Sequence, residues 1–275
     1  MGKTVFVTGA ASGIGRSIAR AHAAQGDRVI AADLSADALD QLVDDGIEPW
    51  VLDVSDVRSV EQAAGQVWTA CSGVDWVYAN AGIGAPGPLL EASREQFRKC
   101  LEINLIGAWM TLKAFASRMV KAERPGRLCA TASEHALGFQ HAGAGIYTAS
   151  KHALLGLCDV MRHELPDTIS VSVLCPGITN TGFGQGGDAS EAAKAFTRAM
   201  MAEGLDPDIV ARAALEGMER GDFIIVTQAA SRIGWEKRAE DVETAFAHVP
   251  DEGADAERYA VPSVIRRVRA QFSED

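Results

Sequence analysis

The chain has 275 residues, 47% of them hydrophobic and 23% charged, a composition that suits one large α/β domain better than two small ones. A formal net charge of −11 runs against the basic surface that nucleic-acid binding requires, so no nucleic-acid partner is expected. The 5 cysteines (Cys71, Cys100, Cys129, Cys158, Cys175) lack CxxC spacing and read as small buried hydrophobes in a reducing compartment, so neither a disulfide framework nor a metal site is expected.

Met1-Gly2-Lys3 leads straight into a strand-like run, leaving no room for a signal peptide, and Phe6 stands where a myristoylation signal needs Ser or Thr. No apolar stretch is long enough to span a bilayer, so the expectation is a cytoplasmic protein with no membrane partner. In chain order, the pattern predicts a strand at 4–8, a helix near 13–25, a strand at 28–33 and a helix near 36–44. A strand at 47–52, a helix near 57–71 and a strand at 74–80 follow, then a long helical stretch at 93–121 broken near Asn104. The remaining pattern gives a strand at 127–131, a helix at 147–164, a strand at 169–174, a helix at 206–220 and a last strand at 223–227. Strands alternating with helices indicate a parallel sheet covered on both faces, because each parallel crossover needs a helix. Two regions interrupt the rhythm. The glycine-rich segment 182–187 before an Ala/Met-rich helix at 192–202 reads either as a lid over a ligand or as a plain connector. In the tail, Val261, Val264, Ile265, Val268 and Phe272 form one apolar stripe at helical spacing, expected to pack on the domain or on a subunit partner.

The first strand ends in Thr8-Gly9-Ala10-Ala11-Ser12-Gly13-Ile14-Gly15. Glycines in such a turn let the backbone approach a pyrophosphate, and the helix that follows offers free N–H groups and a partial positive charge. The spacing is GxxxGxG, a departure from the common GxGxxG fingerprint. Asp33 closes the second strand, where a carboxylate can hydrogen-bond both ribose hydroxyls and repel a 2′-phosphate; Leu34, Ser35 and Ser12 supply no compensating charge, and Arg28 lies at the other end of the strand. The cofactor is therefore expected to be NAD(H). Asp53-Val54 contacts adenine or caps the next helix, with equal claim. Tyr147 and Lys151 lie one helical turn apart, so an ammonium beside the phenol would bring its pKa toward working range and make the pair a proton acceptor or donor.

With these motifs in order, the chain resembles the compact single-domain branch of the short-chain dehydrogenase/reductase family over roughly residues 3–227. The resemblance rests on the 8–15 loop, Asp33, Asp53-Val54, Asn80-Ala81-Gly82, Asn104, Ser133, Tyr147/Lys151 and Pro176-Gly177. It implies a Rossmann-type doubly wound parallel sheet of order 3-2-1-4-5-6-7 in a domain at 1–228, with 229–275 as a helical extension on it. By the same resemblance Tyr147 is the general acid/base, Lys151 lowers its pKa and binds the nicotinamide ribose, and Ser133 holds the substrate oxygen. Asn104 holds a water linking Lys151 to solvent, and Asn80, Ala81 and Gly82 shape the loop beside the cofactor. Pro176, Gly177 and Ile178 lie along the nicotinamide, and Thr181 contacts its carboxamide. Taken singly, Ser133 reads equally as a turn cap, Asn104 as a backbone partner and Pro176-Gly177 as a turn pair.

The implied reaction is reversible oxidation of a secondary alcohol to a ketone. A pocket of Glu134, His135, Leu137, Phe139, His141, Ile178, Asn180 and Phe183 suggests a mid-sized, partly apolar cyclic or aryl alcohol. Glu134 and His135 either read a polar substituent or form a surface turn, the latter slightly favoured. A non-catalytic NAD(H) sensor or scaffold would not need Ser133, Tyr147 and Lys151, and an isomerase or dehydratase using NAD transiently more often carries GxxGxxG and a larger C-terminal domain. The tail beyond Thr227 lacks the family's usual ending and puts a tetramer in doubt, leaving a homodimer through the helices near 104–121 and 147–164 as the expected assembly.

Overall fold

The computed structural model describes residues 2–138, 141–184, 191–250, 253 and 256–272. Its centre is a parallel sheet of 7 strands in the order β3-β2-β1-β4-β5-β6-β7. The strands are β1 (Thr4–Thr8), β2 (Arg28–Asp33), β3 (Glu48–Val51), β4 (Trp76–Ala79), β5 (Gly126–Thr131), β6 (Ile169–Cys175) and β7 (Ile224–Val226). Side chains on a strand alternate between faces, and the apolar residues sort accordingly. Phe6, Ile30, Val77 and Leu128 enter a core with α3 (Val57–Ala70), α5 (Ala108–Lys121) and α6 (Gly145–Glu164). Val5, Val7, Val29 and Tyr78 enter the opposite core, with α1 (Gly13–Ala24), α2 (Ala36–Asp40) and α8 (Pro207–Arg220). The chain thus has the doubly wound architecture expected of it.

Element boundaries differ where local chemistry overrides periodicity. The helix predicted at 36–44 stops at Asp40, and the chain tightens into a short turn, Val43–Asp45, that keeps Leu42 buried before Gly46 reverses it at φ +74°. β3 is shorter than predicted and half exposed, as befits an edge strand carrying Pro49. The long helix at 93–121 splits into α4 (Arg94–Leu101) and α5, joined by a wider π-helical turn, Glu102–Gly107, that carries Asn104. α4 starts on a reciprocal cap in which Ser93 and Gln96 satisfy each other's backbone N–H groups. α7 (Glu191–Ala202) matches the helix expected at 192–202; residues 185–187 of the glycine-rich segment 182–187 lie outside the described residues, as do 188–190.

Contacts divide the chain into Met1–Trp235 and Glu236–Asp275. α9 (Arg232–Phe246) falls within the helical extension expected at 229–275, but periodicity gives no bounds for it, because its apolar residues do not gather on one side. The tail stripe lies on α11 (Val261–Gln271) and just past it, after α10 (Ala256–Tyr259), with Val261, Val264, Ile265, Val268 and Phe272 all exposed.

Phe115 sits in the first core with its ring 4.7 Å from that of Phe6 and is fully buried. Phe115→Ala should cost about 3–5 kcal/mol through lost burial and a cavity. Urea titration checks this, with a lower midpoint at unchanged slope as the expected result.

Candidate active site

The sheet reverses its strand order between β1 and β4, and in such sheets ligands bind at the carboxyl ends of the strands beside that reversal. Side chains tie those ends together. Asn80 donates from Nδ2 to the carbonyls of Thr8 (3.1 Å) and Gly9 (3.4 Å) and accepts from the Thr131 hydroxyl at 3.0 Å. The Thr8 hydroxyl accepts from the N–H groups of Asn80 and Ala81, at 3.0 and 3.1 Å. Gly9 and Gly13 take φ of +65° and +51°, which only glycine adopts cheaply, and a Cβ on Gly15 would strike the Gly9 carbonyl and the Asn80 amide.

The result is a tight backbone curve ending on α1. Ser12 caps that helix in an extended conformation, but its exposed hydroxyl makes no capping bond. The N–H groups of Gly13, Ile14 and Gly15 have no partner within the helix by construction, and the helix dipole adds positive potential. This cradle fits a pyrophosphate. Beside it, Asp33 accepts from the N–H groups of Ala11 (3.1 Å) and Ser35 (3.2 Å), which fix its carboxylate at the loop. Arg28 pairs with Glu48 at 2.6 Å at the far end of β2. Asp53 does not cap α3: it binds the Ser55 N–H at 2.8 Å and hydroxyl at 2.7 Å, while Asp56 is the cap. Val54 is buried, packed against Gly107 of the π-helical turn.

The proton-handling side chains gather between β5, β6 and α6. Tyr147 lies in the first turn of α6, and Lys151 one turn on is buried with Nζ 2.7 Å from the Thr131 carbonyl and 5.6 Å from the Tyr147 ring centre. The Ser133 hydroxyl lies near the phenol and opposes its upward shift, lies 3.4 Å from the Pro176 carbonyl, and accepts from the His135 N–H at 3.3 Å. Ser133 therefore caps its turn and reaches Tyr147 as well. Burial pushes the phenol up to about 12, with the Ser133 hydroxyl opposing, and it pushes Lys151 down to about 8. The expected lowering of the phenol by the ammonium is not expressed here, because Lys151 donates to Thr131 and desolvation dominates both groups.

Asn104 is fully buried and pairs with Ile83, accepting from its N–H at 2.8 Å and donating to its carbonyl at 2.9 Å. It also donates to Ser150 Oγ at 3.1 Å, and Ser150 in turn donates to the Tyr147 carbonyl at 2.7 Å. A Cβ on Gly82 would lie 3.3 Å from Asn104 Oδ1 and 3.5 Å from Lys151 Nζ, so the three residues border one space.

Around the phenol, Glu134–Ala136 forms a short 3-10 turn. Glu134 and His135 do form that turn, yet His135 is buried rather than on the surface. Its Nδ1 lies 2.7 Å from Thr148 Oγ1, and its ring meets Tyr147 and His141 edge-on at 5.3 and 5.1 Å. Desolvation, with smaller contributions from His141 and His152, pushes His135 down to about 4, so it is neutral at pH 7. Phe183 stands 5.5 Å from the Tyr147 ring on another side. Leu137 packs against the first core, Ile178 and Asn180 are exposed, and Phe139 lies outside the described residues. Thr181 sits over the phosphate loop, 2.9 Å from where a Gly13 Cβ would be. Glu134 accepts from the Ser231 hydroxyl at 2.7 Å, an unanticipated connection. Sequence reasoning also missed Thr131, which holds Lys151 through a backbone carbonyl that leaves no residue-type signature.

Among the described residues no cluster of metal-ligating side chains occurs, and no helix is long and apolar enough to cross a membrane. The family model for "short chain dehydrogenase" matches residues 3–205. A 1-deoxy-11-beta-hydroxypentalenate dehydrogenase from Streptomyces exfoliatus is 32% identical over 249 residues, covering 87% of this chain and 88% of the relative. A short-chain dehydrogenase/reductase from Burkholderia phymatum, solved in complex with NAD, superposes with a TM-score of 0.81 at 29% identity, over 89% of this chain and 95% of that one. An alcohol dehydrogenase from the archaeon Thermococcus sibiricus, complexed with 5-hydroxy-NADP, gives 0.68 at 30% identity over 82% of this chain and 95% of its own.

His135 has a folded pKa of about 4 against an ordinary 6.5, so the unfolded chain binds the extra proton between those values. Its contribution to stability is complete above the upper value and is lost as pH falls toward the lower. His135→Gln should therefore flatten the acid decline of the melting temperature in that window. Melting curves of both proteins from pH 7 to pH 4 check this, and parallel declines would contradict it.

Proposed function

The chain belongs to the short-chain dehydrogenase/reductase family, and we propose that it is an NAD(H)-dependent oxidoreductase interconverting a secondary alcohol and a ketone. The observation that carries this reading is the convergence of Ser133, Tyr147 and Lys151 on the same sheet edge as the α1 phosphate cradle. In this reading Gly9, Ser12, Gly13, Ile14 and Gly15 take the pyrophosphate, Asp33 the adenosine ribose, and Asp53 and Val54 the adenine side. Asn80, Ala81 and Gly82 wall the cofactor cleft, and Pro176, Gly177 and Ile178 form the shelf for the nicotinamide. Thr181 meets the carboxamide and Lys151 the second ribose. Bound there, the nicotinamide supplies the hydride acceptor and donor.

The protein's own task is the proton. Ser133 and Tyr147 hold the carbinol oxygen between them, and Tyr147 takes its proton on oxidation or returns one on reduction. With the phenol pushed up to about 12 by burial, Tyr147 rests protonated, and taking a proton from the carbinol needs the phenolate stabilised. Ser133 already contributes to that, and Lys151 completes it when its ammonium leaves the Thr131 carbonyl for the cofactor ribose and the phenol. Asn104 fixes the 82–83 loop to α6 and so sets the width of the space that Lys151 borders; a water there would carry its proton outward. His135 and Phe183 place rings against Tyr147, which supports a mid-sized, partly apolar cyclic or aryl alcohol as substrate. A homodimer through the α5 and α6 helices is the assembly this reading carries, as the family resemblance implies.

The preference for NAD rests on Asp33, held at the loop by two backbone N–H groups, where it would repel a 2′-phosphate. The Burkholderia protein's complex with NAD supports it, and the Thermococcus complex marks the alternative that Asp33 opposes.

Appearance of NADH absorbance with a panel of cyclic and aryl alcohols tests the activity. Tyr147→Phe is expected to lower kcat by about 10²–10⁴-fold, the usual worth of a positioned acid/base. NADH affinity, read by fluorescence titration, should stay within about twofold, since only the proton-transfer step is touched; near-normal turnover would refute the assignment. Asp33→Ala should narrow the gap between kcat/KM for NAD⁺ and for NADP⁺. An unmodified enzyme that already favours NADP⁺ would overturn the cofactor choice.

A further inference from the structure

Beyond β7 the chain makes a short turn, Ala229–Ser231, that returns to the catalytic edge of the sheet. Ser231 is 2% exposed, and its hydroxyl donates to Oε2 of the half-buried Glu134 at 2.7 Å, a charge-assisted bond. Glu134 is the residue next to Ser133, and its N–H donates to the Pro176 carbonyl at 2.9 Å. Gln228, at the start of the same turn, donates from Nε2 to the Ile178 carbonyl at 2.8 Å. The two side chains meet over Gly177. A Cβ there would run into Gln228 Oε1 and lie 2.9 Å from Glu134 Oε2, so a side chain at 177 would push one or both of these groups aside.

We infer that Ser231 and Gln228 are positioning residues: Ser231 fixes the Ser133 loop through Glu134, and Gln228 fixes the 176–178 shelf through Ile178. This rests on the roles proposed above for Ser133 and the shelf. The physical reason is that both loops run past the register pairs of the sheet and keep only a few backbone bonds there. Ser133 lies beyond the last register pair of β5, Thr131 with Leu174, and residues 176–178 lie beyond the last pair of β6, Cys175 with Val226. A backbone bond from the Glu134 N–H to the Pro176 carbonyl joins the two loops, Leu205 N–H anchors the Ile178 carbonyl and His135 reaches Thr148 on α6; the turn after β7 adds two side-chain bonds to these, one on each loop. Because a displacement of about 1 Å at a reacting centre can cost two orders of magnitude in rate, these two bonds bear on catalysis through the position of the loops they hold.

The test is Ser231→Ala in the full-length, NADH-loaded protein, read by amide hydrogen exchange and by kinetics. Exchange in 132–137 and 176–179 should quicken about tenfold while β1 and β4 are unchanged, and kcat should fall about tenfold with KM for the cofactor within about twofold, as expected for lost positioning without lost binding. Ser231→Thr, which restores a hydroxyl, should recover both. Glu134→Gln keeps an acceptor for Ser231 and should leave exchange slow, while removing a negative charge that raises Tyr147 should move the pH profile of kcat to lower pH. Unchanged exchange in Ser231→Ala overturns the inference. So does faster exchange at unchanged kcat, or a uniform rise across β1 and β4 that Thr does not reverse. If the unmodified protein oxidises no alcohol with either dinucleotide, the proposed function fails, and the exchange measurement still decides whether the turn holds the two loops.

Discussion

A parallel sheet ends abruptly, and beyond its last paired residues nothing in the ladder holds one loop at a set distance from the next. In this protein a small number of polar side chains take over there. Asn80 and Thr8 knit the ends of β1, β4 and β5 into one unit, and without them the glycine-rich curve before α1 would have no reason to keep its shape. Asn104 repeats the device one layer out, using both halves of its amide on Ile83 and a third contact on Ser150. Each of these amides is buried or half-buried, so each bond lost would leave a stranded polar group and carry a correspondingly large penalty.

The same burial that makes these bonds strong sets the electrostatics of the site. Tyr147 and Lys151 are both desolvated, and both are pushed toward their neutral forms, the phenol upward and the ammonium downward. An ion pair between them is therefore opposed by the protein interior unless further hydrogen bonds or charges enter. Thr131 occupies the ammonium in this arrangement and Ser133 attends the phenol, so the site stands in a proton-donating condition. The neutral, buried His135 fits this pattern, since a charged ring against the phenol would add a competing pull.

Much of the framework was legible because it follows from periodicity and from residues with narrow conformational roles. Gly9 and Gly13 signal positive φ, Asp33 ends a strand at the cofactor edge, and Asn104 marks the break in a helix that proves to be a π-helical turn. The Ser93/Gln96 cap was equally available from spacing but serves only to start a helix. What escaped was of a different kind. The Thr131 carbonyl that holds Lys151 is a main-chain group, and any residue would present it. The Ser231–Glu134 bond joins positions 97 apart in sequence, a pairing that only the closed fold creates. The direction of the Tyr147 shift was misread because a neighbouring cation can be seen in the sequence, whereas the depth at which both groups are buried cannot. α9 falls within the helical extension expected at 229–275, but its bounds were not legible because its apolar residues form no stripe for periodicity to detect.

Pro49 has a consequence for how these molecules can meet. Leu52 donates its N–H inward to Asp33, and alternate residues of a strand share a direction, so the backbone nitrogen of residue 49 faces outward along the free margin of β3. Proline has no hydrogen there, and with Glu48 engaged by Arg28 beside it, that margin offers an incoming chain a broken template. Lateral growth of the sheet into ribbons or fibrils is thereby discouraged at the β3 border, and edge-to-edge stitching of two such sheets falls to the opposite margin, β7.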